Sequence, residues 1–292
     1  MTNSSVSIAD PNSAINPSVP RLELRGINKS FGGVQALKNV DFEVYAGEVV
    51  GLVGDNGAGK STLIKTMSGA YVPDEGEILI DGAPVSIQSP QDSTQLGIET
   101  VYQDLALCDN LDVVANLWLG REAYRPLIPG LLKVLDETEM ERQTIEVLKT
   151  LDVKIPSVRL PVASLSGGQR QCIAVAKTIL RQPKVVLLDE PTAALGVAQT
   201  RQVLNLILRL KERGLAVVVI SHNLHDVFEV TDRIIVMRLG QRVNAFDTHT
   251  VARERVVASI TGADAVTDAD AVTDADAVTD ADTVAVAAND IA

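Results

Sequence analysis

Leu165-Ser166-Gly167-Gly168-Gln169 lies between two other motifs, and the order of the three constrains this chain more than any one of them. Upstream is a glycine-rich loop, Gly54-Asp55-Asn56-Gly57-Ala58-Gly59-Lys60-Ser61-Thr62. Downstream, Val185-Val186-Leu187-Leu188 is a run of large aliphatic residues that ends in Asp189-Glu190. A glycine loop that follows a strand and opens a helix turns its backbone N–H groups inward around phosphate oxygens. The helix N-terminus adds a partial positive charge. Lys60 is placed to reach the β- and γ-phosphates, Ser61 to offer a hydroxyl to Mg²⁺, and Thr62 to meet the α-phosphate.

The aliphatic run reads as a strand buried on both faces, as in a parallel sheet. Acids at the C-terminal edge of such a strand face a ligand. Asp189 is then a partner for Mg²⁺, and Glu190 a general base that polarises water. The structural alternative for Glu190 is a cap on the turn at Pro191-Thr192. Ala216–Ile220 is a second buried strand, and His222 leaves it at the same edge, which points to a γ-phosphate contact. His225 and His249 lack that placement and read as helix or surface residues.

Strands are expected at 21–27, 40–45, 48–53, 77–81, 98–102, 184–188, 216–220 and 233–238. Helices are expected from Gly59, from Gly167 and from Val197, and Ser89-Pro90 is a start signal for another. This alternation implies a parallel sheet with right-handed crossovers. Residues 104–163 differ in character and read as an inserted helical lobe. There Asp112 caps a short helix stopped by Gly120, Pro126, Pro129 and Gly130 break the chain, and Asp136 with Glu139 starts a longer helix.

The chain has 292 residues, 46% of them hydrophobic, which suits one large domain. The net charge is −12, but eight aspartates fall in residues 263–292, which hold no Lys, Arg, Glu or His. That segment repeats A-D-A-V-T-D from Ala263, Ala269 and Ala275, and reads as a disordered acidic tail. Residues 1–20, rich in Ser, Asn and Pro, read as a flexible leader. No dense basic run points to nucleic acid. Cys108 and Cys172 have neither pairing nor metal spacing, which fits a reducing compartment. No apolar run is long enough to span a membrane, so a membrane role requires a partner.

With these pieces in this order, residues 21–262 closely resemble the nucleotide-binding subunit of ABC transporters. Ser164–Gln171 matches the family signature, with Ser166, Gly167, Gly168 and Gln169 at its centre. The resemblance implies a P-loop NTPase of the α/β class, with a mostly parallel core sheet, an antiparallel β subdomain and an inserted α-helical subdomain at about 104–163. It places Phe31 as the ring that stacks on adenine, with a core aromatic as the alternative. It makes Gln103 the glutamine that senses Mg²⁺ or water, and 193–196 the dimer loop. There the family commonly carries an Asp that acts across the dimer, where this chain has Gly196.

Ile98–Leu107, Asn116–Glu122, Pro191–Gly196 and Ile220–Asn223 are similar to the ribose/xylose/fructose-type carbohydrate importers, and the single nucleotide domain to the fructose type. The resemblance implies ATP and Mg²⁺ as cofactors, and a second ABC ATPase domain whose signature completes each site. It also implies transmembrane permease subunits, an indirect extracytoplasmic sugar-binding protein, and a peripheral place on the cytoplasmic face of the membrane. The alternatives are a subunit of a non-sugar importer or exporter, and a soluble ABC protein acting on ribosomes or DNA.

Overall fold

A computed structural model describes residues 18–128 and 132–263; most of the expected leader and nearly all of the acidic repeat lie outside the described residues. In chain order the strands are β1 (Leu22–Phe31), β2 (Val34–Val44), β3 (Val49–Val53), β4 (Glu75–Ile80), β5 (Ala83–Val85), β6 (Ile98–Val101), β7 (Tyr124–Ile128), β8 (Leu132–Leu135), β9 (Val185–Asp189), β10 (Ala216–Ile220), β11 (Arg233–Arg238) and β12 (Gln241–Asp247). The helices are α1 (Lys60–Met67), α2 (Pro90–Gln95), α3 (Val113–Trp118), α4 (Glu137–Thr150), α5 (Gly167–Ile179), α6 (Val197–Glu212), α7 (Leu224–Val230) and α8 (Arg253–Thr261).

The main sheet runs β12-β11-β3-β10-β9-β6, parallel except for the antiparallel edge strand β12. A second, antiparallel sheet runs β2-β1-β4-β5. Alternate residues of the central strands serve different cores, because successive side chains of a strand point to opposite faces. Val186, Leu188, Val217 and Val219 pack with α3, α5 and α6. Val185, Leu187, Val218 and Ile220 pack with α1 and with Leu24, Ile27, Leu37 and Phe42 of the antiparallel sheet. Both faces are dry, so the runs are apolar without alternation.

The expected helix starts form as their caps dictate. Ser89 accepts from the Asp92 amide, Asp112 from Ala115, and Asp136 from Glu139. Two expectations differ from the structure. The first hairpin is longer than expected: β1 continues to Phe31 and β2 begins at Val34, and the added residues are mostly polar or exposed, with irregular register, so they carry no period-two signal. The segment expected to break at Pro126 instead pairs as β7 and β8. Proline is tolerated there because each strand of a two-stranded hairpin is an edge strand with one side of its backbone unpaired.

Candidate nucleotide site

Four neighbouring parallel strands, β3, β10, β9 and β6, end at one edge of the sheet. The loops that leave them carry Gly54–Gly59, Ser221–Asn223, Asp189–Pro191 and Tyr102–Gln103. Residues far apart in the chain therefore meet because the strands are parallel and in register. Ile220 stands beside Asp189 and Leu52 beside Ile220.

The glycine loop is shaped by tertiary contacts as well as by its own turn. Gly54 has φ 148°, and a Cβ there would collide with the Met237 carbonyl of β11. Gly59 has φ 102°, and a Cβ would stand 2.8 Å from the Ala36 oxygen of β2. The β11–β12 turn locks the loop in place, since the Gly240 amide donates to the Ala58 carbonyl at 3.1 Å and the Lys38 amide to the Gly240 carbonyl at 2.8 Å. Lys60 is buried and its Nζ donates to the Gly54 and Asp55 carbonyls at 2.7 and 3.0 Å. Burial pulls the ammonium below its usual range, against the opposing influence of Glu190, Asp55 and Asp189.

At the end of β9, burial and then the charge of Glu190 push the Asp189 carboxyl above the usual carboxylate range, while Lys65 and Lys60 oppose. Glu190 adopts φ 52°, a left-handed conformation held by its amide, which donates to the Ile220 carbonyl at 3.0 Å. Its Oε2 lies 2.7 Å from His222 Nδ1, yet this buried oxygen accepts no well-aligned hydrogen bond. His222 itself is 74% exposed, so its ring borders open space above the strand ends.

Ser61 and Asp189 offer a hydroxyl and a carboxylate, and Gln103 adds an amide oxygen from the exposed turn after β6. These are hard oxygen donors of the kind Mg²⁺ takes, and Mg²⁺ bound largely through phosphates and waters needs few protein carboxylates. The raised Asp189 carboxyl beside Glu190 is the local environment that a divalent cation relieves. The donor set therefore fits Mg²⁺. Gln103 makes no hydrogen bond to Ser61 or Asp189 among the described residues.

A cleft of about 470 Å³ lies over the glycine loop and is lined by residues 56–62, with Val34–Ala36, Lys38, Leu239 and Gly240 opposite. Phe31 is 43% exposed, which rules out the core-aromatic alternative, and its ring meets Tyr71 edge-on at 5.0 Å. It pairs across the β1–β2 turn with Val34, which lines the cleft and is 67% exposed. Ser166, Gly167, Gly168 and Gln169 are not among the cleft-lining residues. They start α5, where Ser166 and Gln169 form a reciprocal capping box. Gly168 is forced by packing, since a Cβ there would lie 2.8 Å from the Cβ of Gln199 on α6. Gly196 caps α6, its amide donating to Gln199 Oε1 at 3.2 Å.

The protein-family model described as ABC transporter matches residues 37–193. This chain belongs to the ABC transporter family. The fructose import ATP-binding protein FrcA of Rhizobium meliloti is 48% identical over 246 residues, covering 84% of this chain and 95% of that protein. The xylose/arabinose import ATP-binding protein XylG of Sulfolobus acidocaldarius is 46% identical and is covered over 85% of its length, against 75% of this chain. A ribose import ATP-binding protein of Rubrobacter xylanophilus, RbsA 1, is 44% identical over 83% of this chain, which spans only 47% of that relative. Among solved structures, the ADP conformation of the ATP-binding cassette MJ1267 matches with TM-score 0.70 and 25% identity over 84% of this chain and 96% of its own. The dimeric ABC transporter cassette MJ0796 matches with TM-score 0.64 and 28% identity over 78% of this chain and 98% of its own.

Within this ABC fold, the glycine-loop motif supplies one side of the cleft, the opposite wall was not expected from the sequence, and Phe31, Gln103, Asp189, Glu190 and His222 are not among the lining residues. Val34, Lys38 and Leu239 come from the β1–β2 hairpin and the β11–β12 turn. Their only local signal is that Val34 and Leu239 are apolar residues beside turn glycines, which is too common to single them out. His225 and His249 are exposed and stand away from the cleft lining, on α7 and after β12. No helix among the described residues is long and apolar enough to cross a membrane.

Proposed function

We propose that this chain is the ATP-hydrolysing subunit that energises import of a sugar through a separate membrane permease. The observation that supports it best is the convergence of Lys60, Asp189, Glu190 and His222 on one sheet edge beside an anion-binding loop. The sugar reading draws on the fructose, xylose/arabinose and ribose import relatives. In this reading the triphosphate lies along Gly54–Thr62, where the loop amides and the Lys60 ammonium meet its oxygens. The adenine stacks on Phe31, with Val34 as a neighbouring apolar wall. Mg²⁺, held by Ser61, Asp189 and Gln103, would neutralise charge on the β- and γ-oxygens.

Glu190 takes a proton from a water whose oxygen attacks the γ-phosphorus in line, and ADP leaves on the opposite side. His222 donates to a γ-phosphate oxygen as charge spreads over it. The proposed dimer has Ser166 and Gly168 of the partner subunit covering each γ-phosphate, and it opens again after hydrolysis. The segment at 104–163, proposed as the helical subdomain, carries that motion to the permease at the cytoplasmic face of the membrane. The extracytoplasmic sugar-binding protein acts on the permease and touches this subunit only indirectly.

Purification from detergent-solubilised membranes tests the reading. Recovery of a polytopic permease whose sugar uptake depends on this subunit's ATPase supports it. Recovery of ribosomes or DNA in place of a permease rejects it in favour of a soluble role.

A further inference from the structure

Asp226 is a buried acid with no part in the proposed chemistry. It stands in the first turn of α7 and is 5% exposed. Aspartate is rarely that buried without a partner. Its partner is Thr192, whose hydroxyl donates to Asp226 Oδ2 at 2.7 Å. Thr192 belongs to the turn that leaves β9, where the Ala193 amide donates to the Glu190 carbonyl at 3.1 Å. α7 starts just past His222, with Asn223 as its cap. The exits of β9 and β10 are thus tied twice, once by Glu190 with His222 and once by Thr192 with Asp226. The two ties are unequal. His222 is 74% exposed, and the Glu190 oxygen beside it accepts no well-aligned hydrogen bond. Further along α7, Val227 and Val230 are buried in apolar contacts. Apolar packing is non-directional and does not by itself fix the rotation of a short helix. A hydroxyl-to-carboxylate hydrogen bond is directional, and this one falls in the turn next to His222.

We infer that Asp226 is a positioning residue for hydrolysis: through the Thr192 hydroxyl it fixes the start of α7, and with it His222, against the turn that carries Glu190. The proposal rests on the hydrolytic reading of Glu190 and His222. A group displaced by about 1 Å from its reacting partner costs up to about 100-fold in rate. Loss of the tie therefore lowers kcat by about 10- to 100-fold and leaves nucleotide binding, which the glycine loop makes, within about twofold. The loss cannot exceed that of removing His222 itself, because Asp226 acts through it.

The test compares Thr192→Val, which removes the hydroxyl and keeps the branched shape, with Thr192→Ser, which keeps the hydroxyl. Thr192→Val is expected to lower kcat about 10- to 100-fold with KM for ATP unchanged, and Thr192→Ser to stay within about threefold of the unmodified chain. In a His222→Ala chain, Thr192→Val adds nothing further. Thr192→Val combined with Asp226→Leu leaves no buried charge, and it gives the same loss if the single variant does not fold. The chain has three histidines, so the His222 imidazole NMR signal is identified by its absence from His222→Ala. That signal shifts in Thr192→Val and stays in place in Thr192→Ser. Full turnover by Thr192→Val overturns the proposal, as do equal losses in the two Thr192 variants or a loss confined to KM. A loss that multiplies in the His222→Ala chain, or a His222 signal that does not move, also overturns it. Failure of the hydrolytic reading looks different: the unmodified chain releases no phosphate and His222→Ala changes nothing, while the His222 signal still responds to Thr192→Val.

Discussion

Glu190 and His222 meet across two neighbouring parallel strands, with Nδ1 2.7 Å from Oε2 although 32 positions separate them in the chain. Glu190 comes from the end of β9 and His222 from just past the end of β10, and the register that sets Ile220 beside Asp189 brings them together. The backbone at Glu190 is left-handed, with φ 52°. Glu190→Gln keeps the shape and removes the base. It is expected to retain ATP binding and lose nearly all turnover, seen as nucleotide titration against phosphate release. His222→Ala should also bind ATP, and lower turnover by about 10²–10³-fold, the scale of one lost transition-state hydrogen bond. Full-rate hydrolysis by Glu190→Gln would remove Glu190 from the base role.

The loop glycines give a graded series. Gly57→Ala meets nothing within 4 Å and carries only the strain of φ 79°, about 1 kcal/mol. Gly59→Ala adds a Cβ 2.8 Å from the Ala36 carbonyl to a φ of 102°, and is expected to destabilise by about 3 kcal/mol or more. Urea denaturation reads both, and equal losses would mean that the approach of β2 does not constrain Gly59.

Asn116 is fully buried and holds the loop between β6 and α3. Its Oδ1 accepts from the Cys108 amide at 2.7 Å, and its Nδ2 donates to the carbonyls of Cys108, Leu111 and Asp112. Asn116→Ala leaves the Cys108 amide unpaired in the interior, while the Cys108, Leu111 and Asp112 carbonyls keep the amides of Leu111, Val162 and residue 116, and is expected to lower stability by about 1–3 kcal/mol. Hydrogen exchange should show faster exchange at residues 105–112 than in the strands β9 and β10. Uniform acceleration across the domain would argue against a local pin.

Glu43 ties the two sheets together. Burial raises its carboxyl, but the hydrogen bonds from Arg233 and Arg242, at 2.9 Å each, outweigh it and hold the group below the usual range. A depressed folded value stabilises the native state above the unfolded glutamate pKa of about 4.3, and that contribution fades as pH falls through the folded value. Glu43→Gln should therefore lose about 1–2 kcal/mol at pH 7. The gap between the two proteins should narrow as pH drops below about 4. A constant gap from pH 7 to pH 3 would count against this ionic link.

The phosphate loop, the buried strand with its two acids, and the signature segment were legible because each is local. A glycine loop between strand and helix, or a four-residue aliphatic run, carries its physical reason in adjacent residues. The helix caps at Ser89, Asp112 and Asp136 were legible for the same cause. The sequence by itself thus determined the family and the alternation of strands and helices, and it placed the glycine loop and the two acids at the ends of strands. Tertiary structure decided what they face. The walls at Val34 and Leu239, the pairing of β7 with β8 through Pro126, and the separation of Gly168 from the cleft all depend on contacts between distant strands and helices. Such contacts are set by sheet order and register, and these leave no periodic trace in the residues that make them.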